Sequence, residues 1–171
     1  MFIKWCCGFL LSSARPARIA LAAVAMVAWI PAGHAQSDFS AVLIPDVTIE
    51  VVSLIRVDGK TVELQYAISN DSADDFSLIK YGFTSNRASR DAASEGQLYD
   101  FKAGKRYSTG WAGRRCVCSD ADDHDQSGLL TVAPDARKVY WAQYAAPPKK
   151  VTKLSVQFPG APPIHDVPLE E

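Results

Sequence analysis

Signatures of catalysis are missing from this sequence. It contains no G-x-S-x-G turn, no H-E-x-x-H pair and no phosphate-binding P-loop, which are the local patterns that position nucleophiles, zinc ligands and nucleotide phosphates. Histidine is scarce as well, with three residues in the chain, of which His124 and His165 lie beyond residue 35. We therefore expect that the protein is not an enzyme.

Positive charge, cysteine and long apolar runs are also sparse. Lys and Arg number 18 against 19 Asp and Glu, with no basic stripe, which argues against nucleic acid as a partner. Two of the four cysteines lie at positions 6 and 7. The longest apolar run, Ile19 to Ile30, has 12 residues, whereas a helix needs about 20 to cross a bilayer.

The first 35 residues have the composition of an export signal. Basic residues but no acidic ones occur there, the apolar run follows, and Gly33 and Ala35 place small residues where a signal peptidase cleaves. We predict a signal peptide over residues 1–35, cleaved before Gln36. The mature protein would be periplasmic or secreted, with no transmembrane segment. Its formal net charge would be −4, because Lys and Arg fall from 18 to 15 against 19 acids.

Period-2 alternation dominates the rest of the chain. Residues 61–69 carry apolar side chains at the even positions and polar ones at most odd positions, which is the pattern of a half-buried strand. The β-branched segment 47–57 precedes it, and Asp58-Gly59 predicts a hairpin turn between the two. The apolar residues of the first strand change face near Val52, which a β-bulge or burial on both faces would explain.

The remaining pattern predicts an all-β sandwich of two antiparallel sheets. Residues 36–45 are expected to be a flexible lead-in to a single domain, 46–171, and residues 84–96 a loop. The tail 159–169 has four prolines, so it can form only an edge strand or an extended cover. Further short strands are expected at 78–83, 97–101, 106–111, 129–132, 139–144 and 151–158.

Short motifs follow one another along most of residues 46–169: Asn70-Asp71-Ser72, Gly104-Lys105-Arg106-Tyr107, Cys116-Val117-Cys118-Ser119, Val139-Tyr140-Trp141-Ala142, Ala146-Pro147-Pro148, Phe158-Pro159-Gly160 and Asp166-Val167-Pro168. This arrangement resembles a bacterial exported immunoglobulin-like β-sandwich domain of unknown function, of the kind found alone or beside OmpA-type peptidoglycan-binding domains. The resemblance implies an immunoglobulin-like sandwich of about seven to nine strands in the cell envelope. It implies no catalytic residues.

Cys116 and Cys118 are the cysteines that remain after export. In an extended strand, residues i and i+2 have Cα atoms roughly 7 Å apart, beyond the ~6.8 Å limit usual for a disulfide. A bridge would therefore require a tight bend at Val117. Three interpretations stay open: a disulfide that pins a loop, a redox-active dithiol, and a copper or zinc site completed by His124.

An acidic segment follows the cysteines. Asp123, Asp125, Ser127 and Gly128 match the first half of a calcium-binding loop, in which alternate oxygens face the ion. Pro134 occupies the twelfth position, where such loops carry a bidentate Glu. We expect a solvated acidic turn, with calcium as the alternative.

Aromatic residues at strand spacing offer one more candidate surface. Trp111, Tyr140, Trp141 and Tyr144 could form a carbohydrate platform, but this pattern is more typical of core and cross-strand pairs. We expect them in the core, and we expect His165 on the surface of the tail.

Together these patterns predict a non-enzymatic binding or structural module of the bacterial cell envelope. The alternative is a periplasmic metal-binding or thiol-redox protein that acts through Cys116 and Cys118. We expect no cofactor, with calcium, copper or zinc as the alternatives. The expected partner is another envelope or extracellular protein.

Overall fold

This computed structural model describes residues 38–83, 95–113, 115–119 and 131–171. Those residues are built from strands, which confirms the expected all-β class, and no helix among them has the length and apolarity to span a membrane. The expected signal peptide, residues 84–94 of the expected loop and most of the acidic segment lie outside the described residues. In chain order the strands are β1 (Ser40–Ile44), β2 (Val47–Arg56), β3 (Thr61–Asn70), β4 (Phe76–Ser77), β5 (Gln97–Asp100), β6 (Lys105–Tyr107), β7 (Trp111–Ala112), β8 (Arg115–Cys116), β9 (Thr131–Val132), β10 (Ala136–Ala145), β11 (Lys153–Gln157) and β12 (Ile164–Pro168).

The strands form two four-stranded antiparallel sheets and two short ribbons. Sheet 1 has the order β1-β2-β3-β10, and sheet 2 has the order β12-β11-β5-β6. The ribbons pair β4 with β9 and β7 with β8. The described residues thus contain twelve strands rather than seven to nine, because the ribbons are built from two-residue pieces.

The β2–β3 hairpin follows the alternation of the sequence closely. The even-numbered apolar residues of 61–69 are all fully buried, as predicted. The Asp58 carboxylate accepts a hydrogen bond of 2.6 Å from the Lys60 N–H, which closes the turn and lowers the pKa of Asp58. The pairing with β3 shifts at Val52, whose side chain is 46% exposed. The expected β-bulge is therefore present, and it returns the rest of β2 to the buried face.

Residues 40–44, expected within a flexible lead-in, instead form β1. This strand pairs with the first half of β2, and Ala41 packs into the core. The chain reverses between the two strands at Asp46, which has φ 62°, a left-handed conformation that Asp tolerates better than most residues. Pairing with β2 is a tertiary contact that alternation within so short a segment does not reveal.

Residues 78–83, expected as a strand, instead form consecutive turns. Three backbone N–H groups in this segment donate to carbonyl oxygens three residues back, at 3.1–3.3 Å, and Gly82 has φ 82°. Leu78 and Phe83 are nevertheless fully buried. The apolar composition of residues 78–83 therefore indicated burial correctly, but the strand predicted from it is wrong.

The hairpin expected across Ala103-Gly104 is present, but its second strand is short. β5 and β6 pair in register around a turn in which Gly104 has φ 61°. Beyond Tyr107 the chain leaves sheet 2 and runs along β10, where the Gly110 N–H donates to the Gln143 carbonyl at 2.6 Å. The segment 106–111, predicted as one strand, therefore pairs first with sheet 2 and then with β10 of sheet 1.

The proline-containing tail forms an edge strand, as predicted, because β12 is the outermost strand of sheet 2. The chain then crosses to sheet 1, where the Glu170 N–H donates to the Leu54 carbonyl at 2.9 Å. The buried Arg56 side chain holds this crossing through a 2.9 Å hydrogen bond to the Pro147 carbonyl and a 3.2 Å ion pair with Glu171. The tail thereby pairs with the second half of β2 beyond the end of β1.

Side chains from both sheets meet in one apolar core. Tyr66 of β3 stacks on Tyr140 of β10 with ring centroids 5.3 Å apart, and its ring lies 4.8 Å from that of Phe158 beyond β11. The Tyr144 hydroxyl donates to the Gly96 carbonyl at 2.7 Å. Burial raises the pKa values of all three tyrosines above the ordinary value of 10.0.

Candidate functional site

The two cysteines lie against one another at the end of the β7–β8 ribbon away from its turn, where Cys116 pairs with Trp111. The backbone bends at Val117, and the Cα atoms of Cys116 and Cys118 are 5.4 Å apart, inside the roughly 4.4–6.8 Å range of disulfides. The tight bend that the sequence required for such a bridge is therefore present.

Backbone hydrogen bonds fasten this cysteine segment to the open edge of β10. The Gln143 N–H donates to the Val117 carbonyl at 2.8 Å, and the Ser119 N–H donates to the Trp141 carbonyl at 2.7 Å. The Ser119 hydroxyl in turn accepts from the Trp141 N–H at 2.7 Å. Cys118 pairs with Ala142 and is only 4% exposed, so its sulfur belongs to the core rather than to the surface.

The residues predicted to bind metal beside the cysteines are Asp123, His124, Asp125 and Ser127, and they lie outside the described residues. Among the residues that are described, no group of three His, Cys, Asp or Glu side chains could hold a metal ion. The calcium, copper and zinc alternatives therefore stay predictions.

Two of the four aromatic residues expected in the core are instead on the surface. Tyr140 and Tyr144 are buried as predicted, whereas Trp111 is 52% and Trp141 is 37% exposed. Trp111 lies in the β7–β8 ribbon and Trp141 on the solvent face of β10, and no sheet formed by the described residues covers them. Alternation along β10 is compatible with this outcome, since Trp141 lies between buried Tyr140 and Ala142.

A groove of about 590 Å³ crosses sheet 2, and its volume is within the roughly 300–1,000 Å³ usual for ligand sites. It crosses the solvent face of β5, β11 and β12 and extends over the β5–β6 turn. The opposite face of these strands carries the core residues Leu98, Leu154 and Val156. Because successive side chains of a strand point to opposite faces, Tyr99 and Ser155 face the groove.

The floor of the groove is a serine–histidine pair. Ser155 lies opposite Tyr99 in the pairing of β11 with β5 and is only 7% exposed. Its hydroxyl oxygen shares a 3.2 Å hydrogen bond with Nδ1 of His165 on β12. Ser155 points away from the core, and its neighbours in the groove cover it.

A β-bulge shapes the β12 side of the groove. The register between β11 and β12 shifts by one residue between Leu154 and Val156, and Asp166 of the bulge has φ 55°. Bulges re-aim neighbouring side chains and recur beside functional sites. Here the bulge places His165 above Ser155 and leaves the Asp166 carboxylate in the groove lining.

Aromatic rings form one wall. Tyr99 and Phe101 are two residues apart and therefore point the same way, with nearly parallel rings whose centroids are 5.5 Å apart. The ring of His165 lies 5.7 Å from that of Phe101. A hydrogen bond from the Tyr99 hydroxyl to the Gln97 amide oxygen orients the tyrosine ring. Phe101 is 58% exposed, so much of its ring remains available to a ligand.

Charges of both signs line the groove. Lys102, Lys150 and Lys153 contribute ammonium groups, and Asp100 and Asp166 contribute carboxylates. None of the three ammonium groups lies within ion-pair distance of a carboxylate in the described part of the chain. One oxygen of Asp100 accepts a 3.0 Å hydrogen bond from the Ala103 N–H, which fixes the β5–β6 turn. With histidine neutral, the groove carries one net positive charge in a chain whose net charge is −1.

The sequence predicted none of the groove except a surface position for His165. A usable signal was present in residues 97–101, where Leu98 is the core residue and alternation consequently turns Tyr99 and Phe101 toward solvent. Two aromatic residues on the solvent face of a short strand are unusual for a purely structural role. Their meeting with Ser155 and His165 depends on strand pairing and could not be inferred from spacing.

Comparisons of this chain with protein-family models, with curated proteins and with solved structures give no match. The groove and the cysteine segment are therefore the features from which a function can be inferred.

Proposed function

We propose that this protein is a non-enzymatic binding module of the bacterial cell envelope, exported to the periplasm or secreted, and built on an immunoglobulin-like sandwich. The scaffold is supported by two four-stranded antiparallel sheets that share one core. Export is supported by the composition of residues 1–35 and by the close approach of two cysteines, which is typical of proteins from oxidising compartments.

One observation carries the binding role: the groove presents the exposed ring of Phe101 among three lysines that have no described ion-pair partner. A concave surface with an apolar wall and a few convergent polar groups is the usual form of a ligand site. A phenylalanine exposed in such a place leaves apolar area in contact with water, and a bound ligand would remove that area from water.

Cys116 and Cys118 have a structural role in this proposal, as a disulfide that fixes the bend at Val117, while backbone hydrogen bonds hold the bent segment beside β10. Cys118 is buried in the core, whereas redox-active thiols lie in partly exposed surroundings. Thiol titration of the native protein checks the pairing: we expect no free thiol from these two residues, and free thiols that bind one equivalent of copper or zinc would favour the redox or metal-binding alternative.

The binding role can be tested by nuclear magnetic resonance on ¹⁵N-labelled protein. Four probes are titrated separately: an acidic oligosaccharide, a neutral oligosaccharide, an acidic peptide and tripolyphosphate. We expect at least one of them to shift the amide resonances of residues 99–103 and 150–155, and Phe101→Ala to remove those shifts.

The matched control is Trp141→Ala, which removes an exposed aromatic side chain from sheet 1 rather than from the groove. We expect this variant to bind the active probe as the unmodified protein does. The proposal fails if no probe shifts the groove amides, or if the shifts cluster around Trp111 and Trp141 instead.

A further inference from the structure

We infer that the ligand of the groove is an acidic saccharide, that is, a sugar carrying a carboxylate beside its hydroxyl groups. This inference rests on the proposed binding function and specifies the chemistry of its ligand. It is carried by three properties of the lining: a flat apolar wall, ammonium groups with no ion-pair partner among the described residues, and carboxylates that can accept hydrogen bonds.

The aromatic wall fits the C–H face of a sugar ring. Phe101 is 58% exposed and its plane is within 6° of that of Tyr99, so the two rings present parallel surfaces along one side of the groove. Aromatic faces carry a negative electrostatic potential, which attracts the weakly positive hydrogens of a sugar. A flat hydroxylated ring can bury its apolar face there while its edge stays polar.

The lysines specify a negatively charged ligand. Lys102 lies in the β5–β6 turn, Lys153 begins β11 and Lys150 precedes it, so ammonium groups line the groove from two separate segments. Ammonium groups act as compact point charges with three donors each. A carboxylate within this groove would be attracted to ammonium groups that have no ion-pair partner in the described chain.

The two aspartates select against ligands that are more highly charged. A carboxylate accepts hydrogen bonds and cannot donate them, so Asp100 and Asp166 require a ligand with O–H or N–H groups. Polyphosphates and nucleic acid strands offer dense negative charge and few donors, and both would be repelled by these carboxylates. Sugar hydroxyls donate to carboxylates and also accept from lysine, which matches the mixed lining.

The position of the groove disfavours an extended peptide. Peptides that add a strand bind along the edge of a sheet, through main-chain hydrogen bonds. This groove instead crosses the solvent face of β5, β11 and β12, whose neighbouring edges already pair with one another. A ligand there meets the side chains of the solvent face, such as Ser155 and His165, rather than the row of unpaired main-chain groups that a sheet edge offers.

The test measures binding of tetragalacturonate by isothermal titration calorimetry, with neutral galactotetraose, tetraglutamate peptide and tripolyphosphate as matched probes. We expect tetragalacturonate to bind at least about tenfold more tightly than each of the others, a difference of about 1.4 kcal/mol in binding free energy. Its affinity should fall as salt is added, because the lysines are exposed and screened.

Variants at two groove positions separate the contributions of the aromatic ring and of the positive charge to binding. Phe101→Ala should weaken tetragalacturonate binding at least about tenfold, and Phe101→Tyr should restore it, because the ring face is kept. Lys153→Gln should weaken binding and also reduce its salt dependence. Both positions are exposed, and an unchanged thermal unfolding curve for each variant would show that the fold is intact.

The outcomes distinguish the two proposals. Equal binding of the neutral and acidic sugars would contradict the inference of an acidic saccharide and leave the binding function standing. The same conclusion would follow if the protein preferred the peptide or the phosphate and Phe101→Ala abolished that binding. Tetragalacturonate binding that survives Phe101→Ala would also overturn the inference. If no probe binds, both the acidic-saccharide inference and the proposed binding function are wrong.

Discussion

The two sheets of this protein differ in how completely their strands are used. In sheet 1, three strands of 10 residues each pair along most of their length, with one bulge between β2 and β3. In sheet 2 the strands have three to five residues, and a bulge in β12 shifts the register at the point where the groove forms. Long uninterrupted pairing builds the core, whereas short and irregular pairing leaves side chains to form a site.

The two sheets therefore contribute differently to stability and to binding. The buried side chains of sheet 1 include the largest rings of the core, those of Tyr66, Tyr140 and Tyr144. The groove side chains of sheet 2, by comparison, are held by single hydrogen bonds or remain exposed. We therefore expect stability to depend chiefly on sheet 1 and on its contact with sheet 2, and binding to depend on the solvent face of sheet 2.

Alkaline pH should produce the largest effect, because it acts on sheet 1 at three places. Burial raises the folded-state pKa values of Tyr66, Tyr140 and Tyr144 above 10.0. Their stabilising contribution is complete below about pH 10, the unfolded-state value, and is lost as pH rises toward the folded-state values. We expect the phenolate absorbance of these tyrosines to appear only as the circular dichroism of the fold disappears. Complete tyrosine ionisation in a chain that keeps its dichroism would contradict this assignment.

Truncation of one sheet 1 core residue should have the next largest effect. Leu64 is fully buried, so Leu64→Ala should lower the free energy of unfolding by about 2–5 kcal/mol, through lost burial and the cavity left behind. The neighbouring Gln65 points to the solvent face and bonds Glu63 at 3.1 Å, and Gln65→Ala should change it by no more than about 0.5 kcal/mol. Urea unfolding of both variants measures the difference, and equal midpoints would mean that the two faces of β3 are wrongly assigned.

Packing between the two sheets can be tested at Gly96, where we expect a smaller loss of stability than at Leu64. A Cβ atom there would lie 3.0 Å from the Phe158 ring and 3.1 Å from the Tyr144 hydroxyl, and both side chains are buried. Gly96→Ala should therefore cost about 1–3 kcal/mol, as overpacking usually does. The matched control is Gly59→Ala in the β2–β3 turn, where a Cβ atom would meet nothing within 4 Å. That variant should be neutral or stabilising by about 0.4–1 kcal/mol, and equal destabilisation by both would weaken the packing argument.

The parts of the fold that the sequence predicted share a local cause. The β2–β3 hairpin, its bulge and the hairpin around Gly104 each follow from alternation and turn residues that are neighbours in the chain. The bend that brings Cys116 to Cys118 is also local, and the sequence required it only for the disulfide among the three interpretations of these cysteines. In each case the interacting residues are few positions apart, so spacing alone constrains their geometry.

The parts that the sequence did not predict depend on distant pairing. β1 is a strand because β2 lies beside it, and residues 78–83 turn although they are apolar, because buried Leu78 and Phe83 can pack without regular pairing. Trp141 is exposed because nothing in the described chain covers that face of sheet 1. The groove is the clearest case, since its residues come from three strands that meet only in sheet 2.

The sequence by itself determined which residues form the long strands and which side of each strand is apolar. The physical reason is that the strand period fixes the direction of each side chain relative to its neighbours. Only the tertiary structure decided which strands became neighbours and where their solvent faces left a groove. Those choices depend on contacts between segments more than 50 positions apart, such as Tyr99 with Ser155. Their energies come from burial in a shared core, which no local pattern records.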